Sequence, residues 1–446
     1  MTNPNLLLSC IVLLTQALLV SMGHYTGSGL FFTNTAALLL LGSAFRKKET
    51  SKRCDTSLGA NIPFYLFLIG LFFSASIALN PRLIYAAPST PALHLLRSLL
   101  WLSLTAGGTS LLFYLKKNES QATRLLIFAF LAAAATKFLV VSASPMPRID
   151  VVTVGMEAME RLRSGINPYR EAYPDIYAGR YGYAPRLTYP PGYLLLIFPV
   201  HLLFGDIRWA SVFSEIAAIA VMICFLRQPL LRWLTAWVWA AFPLSLFIIE
   251  QGWVDHLMLP FAASVLLAFT HQRWRTAGIL LGILSTIKQY APAVAFFALI
   301  WTWKNHGPKA TKKTALWAVL SSLLILLPWL AWDARALYAS TVAYLEAVPP
   351  RPDALSWFAH FLKQGKTLSP LVVLAGAVVS LIGGVRLSLA RPVGSWLVGA
   401  ATLYLGLFLF AKQAFCNYYA WACSLLWLAV IDKLGADSAK EKSQPA

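Results

Sequence analysis

L-L-I-F-A-F-L-A-A-A-A-T-K-F-L-V-V-S-A, from Leu125 to Ala143, is long and apolar enough to cross a bilayer as one helix, which takes about 20 such residues. R-I-D-V-V-T-V-G-M-E-A-M-E-R-L-R-S-G-I-N-P-Y, from Arg148 to Tyr169, follows almost at once and has a different pattern. Val152, Met156, Met159 and Leu162 share one helical face, and Glu157, Glu160, Arg161 and Ser164 share the other. Gly165 and Pro168 stop the helix. It is too short to span, and its two faces suit a position along the membrane surface. A crossing followed by a surface helix sets the reading of the rest.

Outward from this pair, candidate crossings lie at 5–23, 28–45, 61–79, 93–115, 190–205, 209–226, 231–249, 256–270, 276–303, 314–332, 369–385, 393–411 and 414–432, about fourteen in all. The first of these is read as a retained helix, because no Lys or Arg precedes it and no small-x-small cleavage site follows. The composition agrees. Of 446 residues 58% are hydrophobic and 12% charged, with mean hydropathy +0.63. A soluble chain could not bury so much apolar surface. The expected fold is therefore all-α, a polytopic transmembrane helical bundle. The net charge of +19, from 37 Lys and Arg against 18 Asp and Glu, belongs to loops that set orientation and not to nucleic-acid binding.

Four basic clusters fall on one side of the alternating spans: Arg46, Lys47, Lys48, Lys52 and Arg53; Lys116, Lys117 and Arg124; Lys304, Lys309, Lys312 and Lys313; Arg386 and Arg391. That side reads as cytoplasmic, and both termini share it. The two long polar segments, 144–189 and 333–368, then face outward. Arg227 with Arg232, and Arg273 with Arg275, land outside in this count. Either they are exceptions or a short segment between 190 and 270 does not span.

Asp150 stands where the surface helix begins. It is either an N-cap or a general base at the membrane–water boundary. Seven of the 17 tyrosines lie between Tyr169 and Tyr193, either as interfacial anchors or as platforms for sugar rings. Cys10, Cys54, Cys224, Cys416 and Cys423 form no C-x-x-C pair, so neither a disulfide framework nor a zinc site is read.

These residues resemble a family. An Asp just after a transmembrane helix, then G-x-N-P-Y (Gly165, Asn167, Pro168, Tyr169), then Y-P-P (Tyr189, Pro190, Pro191) is similar to the first external loop of the GT-C glycosyltransferases. Within them it resembles the bacterial polyprenol-phosphate-mannose-dependent α-mannosyltransferases. E-Q-G-W-V-D-H (Glu250 to His256), I-K-Q-Y (Ile287 to Tyr290) and L-S-W-F-A-H-F (Leu355 to Phe361) are similar to their polar islands, and the K-Q-x-Y-like islands also resemble dolichyl-phosphate-glucose enzymes. The resemblance covers roughly 125–432. It leaves 1–124 as an N-terminal addition of about four spans and 433–446 as a cytoplasmic tail.

The resemblance implies an inverting sugar transfer from a polyprenyl-phosphate donor at the non-cytoplasmic face, in a bacterial inner (plasma) membrane. Mannose is the expected sugar, and the acceptor is a lipid, a glycan or a protein. Asp150 takes the role of base by position. No metal and no cofactor is expected, as is common with monophosphate donors. Two features depart from the family: the nearest second acids are Glu157 and Glu160, and the usual G-Q pair is reversed as Gln251-Gly252.

Several polar residues become substrate-binding candidates. Asn167, Tyr169, Tyr189 and Gln289 belong to the motifs. Lys288, deep in a span, contacts the donor phosphate, or forms a structural ion pair, or snorkels. Gln251 and Asp255 bind a sugar hydroxyl or cap a helix. Lys412 and Asn417 bind substrate or anchor the interface, and His360 is functional or a surface histidine. The alternative function is a transporter or lipid-linked-sugar flippase, which repeats with matching breaks would favour. No such repeat is read.

Overall fold

The structure, a computed structural model, describes residues 3–46 and 61–441, with side chains through 437. Lys47, Lys48, Lys52, Arg53 and Cys54 lie outside the described residues. So does the end of the expected tail. Helices α1 (Pro4–Ser21), α2 (Gly27–Phe45), α3 (Ile62–Leu79), α4 (Pro91–Leu115) and α5 (Glu119–Ala143) precede the surface helix α6 (Asp150–Arg163). There follow α7 (Pro191–Phe204), α8 (Arg208–Ile223), α9 (Pro229–Ala240), α10 (Ser245–Glu250), α11 (Asp255–Thr270) and α12 (Trp274–Ser285). Then come α13 (Pro292–Tyr338), α14 (Tyr344–Ala347), α15 (Trp357–Lys363), α16 (Pro370–Ser388), α17 (Ser395–Leu409) and α18 (Cys416–Glu441). Among the described residues there is no strand, only an isolated antiparallel bridge between His24 and Ala354.

The chain is an all-helical bundle of membrane-crossing type. Eight of the described helical stretches are long and apolar enough to cross, with α13 and α14 counted together as one. Shorter or broken helices make up the rest of the expected crossings, because Pro and Gly interrupt stretches of continuous hydropathy. α13 turns back at Gly307, whose φ of 79° suits only glycine without strain, and Pro308 starts its second half.

Side-chain contacts define two ends of the bundle. At one end α6 and its loop meet the second long segment: Arg170 pairs with Asp333 at 2.8 Å, and Tyr344 donates to the Ala184 carbonyl at 3.0 Å. At the other end the Gly394 amide donates to Asp432 at 2.8 Å, Asn305 reaches the Ala390 carbonyl at 3.3 Å, and Gly435 packs against Phe225. Trp274 and His306 sit 4.6 Å apart there too.

These ends correct two spans. The segment 190–205, a candidate crossing short enough to read equally as tilted, broken or re-entrant, is α7, which bends 111° away from α8 and stays at the α6 end. Gly192 abuts Thr286 there, and His201 contacts Glu160 at 2.9 Å. The segment 276–303, expected as one crossing, is α12 followed by the first half of α13, running in opposite senses around Thr286–Ala291. The consequence is electrostatic. Arg227, Arg232, Arg273 and Arg275 are not outliers; they lie at the same end as Lys304, Lys309 and Arg391.

Helices α3 and α4 are fastened to the rest by Trp237 of α9. A Cβ at Gly70 or Gly107 would come within 2.4 Å or 2.1 Å of its indole, so both glycines are needed for the ring to fit. The ring nitrogen donates to Ser103 at 3.1 Å. Between apolar helices such close approach supplies the packing that hydrophobicity cannot.

Candidate active site

A cavity of about 710 Å³ opens at the α6 end. Its wall comes from the start of α6, the following loop, and the α10–α11, α12–α13 and α17–α18 junctions, together with Tyr344 to Asp353. Helix junctions dominate because only there is backbone freed from helical hydrogen bonding in an apolar bundle.

Asp150 lines this cavity. Ile149 is the N-cap, and Asp150 is the first helical residue, one position further on than a capping Asp. Its Oδ1 accepts the Val151 N–H at 2.9 Å, which the helix dipole favours. The Tyr177 hydroxyl lies 3.4 Å from its backbone nitrogen. Burial pushes the Asp150 carboxyl above the ordinary carboxylate range; the Val151 N–H and the charge of Arg351 oppose this without cancelling it.

Lys288 also lines the cavity, with Tyr189, Gln251, Gln289 and Asn417. Its Nζ lies 2.8 Å from Asp255 Oδ2 and over the rings of Tyr418 and Tyr290 at 4.6 and 4.8 Å. Asp255 sits behind this wall and is buried. Asn417 donates to it at 2.6 Å, and the Tyr290 hydroxyl donates to its other oxygen. Gln289 donates to the Thr188 carbonyl and also borders a second groove of about 520 Å³. Lys412 borders that groove and donates to the carbonyls of Glu346 and Val348, each at 2.8 Å.

The remaining candidates lie off the cavity wall. Asn167 accepts the Tyr169 N–H at 2.9 Å, and the buried Tyr169 donates to the Tyr189 carbonyl at 2.9 Å. Both shape the loop that carries Tyr189. His360 is hydrogen-bonded to Tyr25 at 2.6 Å and to Gln364 at 2.9 Å.

The cavity also holds residues the sequence reading passed over. Arg351 stacks over Tyr181 at 3.8 Å and pairs with Asp353 at 2.5 Å. Burial alone would raise the Asp353 carboxyl; His24 and Arg351 outweigh it and hold the group below the ordinary carboxylate range. Met22, His24, Ile84 and Tyr85 come from the N-terminal helices. Arg351 was signalled only as a charge in an external segment, and nothing in the sequence signalled Tyr85. Away from the cavity, Lys137 pairs with Glu215 at 3.0 Å in the core, and Ser245 and His256 adjoin the pair. Intramembrane charge was the available signal for both. Among the described residues no three His, Cys, Asp or Glu side chains gather as metal ligands.

Fold and cavity define an integral membrane protein with a chamber of charged, tyrosine and apolar side chains at one end of a helical bundle. Residues 187–430, more than half the chain, match the family model of glycosyltransferase family 87, and the chain belongs to that family. It is a membrane glycosyltransferase. No curated protein and no solved structure matches it. The matched stretch includes Tyr189, Gln251, Lys288 and Asn417 and begins after Asp150.

Proposed function

We propose that the protein transfers mannose from a polyprenyl-phosphate donor to a lipid, glycan or protein acceptor, with inversion and without a metal. The carrying observation is that Asp150 and Lys288 line one cavity. Asp150 takes the proton of the acceptor hydroxyl as its oxygen attacks the sugar C1. The bond from C1 to the phosphate oxygen breaks, and the phosphate leaves with the electron pair. Arg180, Arg186, Arg351 and Lys288, all in the cavity wall, lower the cost of its charge. Lys288 has three N–H donors, and Asp255 takes one. The raised Asp150 carboxyl suits proton acceptance nearer neutrality than an ordinary Asp would. Excess Lys and Arg at the opposite end supports a non-cytoplasmic active site, and the membrane proposed is a bacterial inner membrane.

The test is the purified full-length protein in liposomes, given tritiated polyprenyl-phosphate-mannose and an envelope glycolipid and glycan extract. Label should move to the extract and continue to do so in EDTA. Transfer only from the glucose analogue would overturn mannose. Loss of transfer in EDTA, restored by magnesium or manganese, would overturn metal independence.

A further inference from the structure

The connection from α3 to α4 runs beside the connection from α5 to Asp150, and the two are bonded along their length. The Ala87 N–H donates to the Ala143 carbonyl at 2.9 Å. The Tyr85 hydroxyl donates to the Arg148 carbonyl at 2.6 Å, two residues before Asp150. Between these points stands Glu250, fully buried at the end of α10. Its carboxylate accepts the Ile84 N–H at 2.8 Å, the Tyr85 N–H at 2.9 Å, the Ser144 hydroxyl at 2.6 Å and the Gln251 side chain at 3.1 Å. A buried carboxylate with four donors is a strong fixed point, because each bond is charge-assisted and losing one strands charge. Glu250 lies inside the family-matched stretch, whereas Ile84, Tyr85, Ser144 and Asp150 lie outside it.

We propose that Tyr85 is a positioning residue for Asp150, and that the N-terminal helices complete the active site instead of merely preceding it. The Ile84–Tyr85 strap, locked by Glu250, holds the Ala143–Ile149 connection, and the Tyr85 hydroxyl fixes the carbonyl from which α6 and its carboxylate set off. This rests on the reading of Asp150 as the base. Misplacing a catalytic group by about 1 Å can cost about a hundredfold in rate.

Tyr85→Phe removes the hydroxyl and keeps the ring. In the full-length protein, hydrogen exchange of the peptide covering Arg148–Val154 should accelerate, with melting temperature unchanged. With tritiated polyprenyl-phosphate-mannose as the probe, kcat should fall about ten- to a hundredfold while KM for that donor holds. Unchanged exchange in that peptide would overturn the proposal. A raised KM with normal kcat would also overturn it, making Tyr85 a substrate contact. Asp150→Asn runs alongside: if it turns over normally, the base reading falls regardless of Tyr85, and if it is inactive while Tyr85→Phe is normal, only the positioning role falls.

Discussion

At the scale of one residue, Asp150 makes two demands that a substitution can separate. Asn keeps an oxygen for the Val151 N–H and loses the basic carboxylate, so Asp150→Asn should lower turnover by about 10²–10⁴-fold. The pH dependence of stability has a definite sign. Burial raises the folded carboxyl above its unfolded value, so folding favours the protonated form. That contribution is full below the unfolded pKa and is lost as pH rises through the folded one. Asp150→Asn should therefore melt no lower than the wild type at neutral pH, and any advantage should vanish in acid. An Asn variant that melts early at neutral pH would make Asp150 chiefly a structural residue. Lys288 tests a second pairing. Asp255 retains Asn417 and Tyr290 when the ammonium is removed. Lys288→Met should consequently stay folded but bind polyprenyl-phosphate-mannose less tightly and turn over slowly, and Lys288→Arg should recover part of both. A Met variant with normal donor affinity and turnover would leave Lys288 without a role in transfer.

At the scale of elements, the island Glu250–His256 shows how much one junction carries. Glu250 fixes the α3–α4 strap, Gln251 faces the cavity, Asp255 meets Lys288, and His256 reaches Glu215 at 3.5 Å. The sequence marked this stretch as polar within an apolar region, yet could not assign its partners, which come from α3–α4, α8 and α12–α13. Lys137 and Glu215 hold α5 to α8 where no water competes. Lys137→Met would leave the fully buried Glu215 carboxylate without its cation, with the Ser245 hydroxyl as its close donor, and should destabilise the protein by about 3–5 kcal/mol. Adding Glu215→Gln removes the uncompensated charge and should restore much of that loss. Unfolding measured on the single and double variants checks this, and an additive pair would mean the two groups do not interact.

At the scale of the molecule, α5 and α6 were legible because their periodicities differ and Gly165 and Pro168 punctuate the second. The bounds of α7 were legible too, but its place at one end of the bundle was not. P-G-Y-L-L-L-I-F-P-V-H-L-L-F is as apolar as a crossing helix, and hydropathy cannot see that Glu160 waits beside His201. The reversal at Thr286–Ala291 was half-visible: Lys288 marked a charge deep within 276–303 but not that the chain turns back there. The place of Asp150 beside the membrane-crossing helix was legible from its neighbours in sequence, whereas the bond from Tyr85 to the Arg148 carbonyl has no local signature. The corrected path carries a prediction that separates it from the alternating count. In it, Arg227 and Arg273 share an end with Lys304 and Arg391, opposite Glu171 in the α6–α7 loop. A background with Cys54 and Cys224 changed to Ser leaves Cys10, Cys416 and Cys423, which are buried. In that background a membrane-impermeant maleimide should label Glu171→Cys in spheroplasts. On the proposed orientation, in which their end faces the cytoplasm, Arg227→Cys and Arg273→Cys should label only after the membrane is opened. If α7 instead crossed the bilayer and 276–303 ran as one span, all three positions would label together from outside.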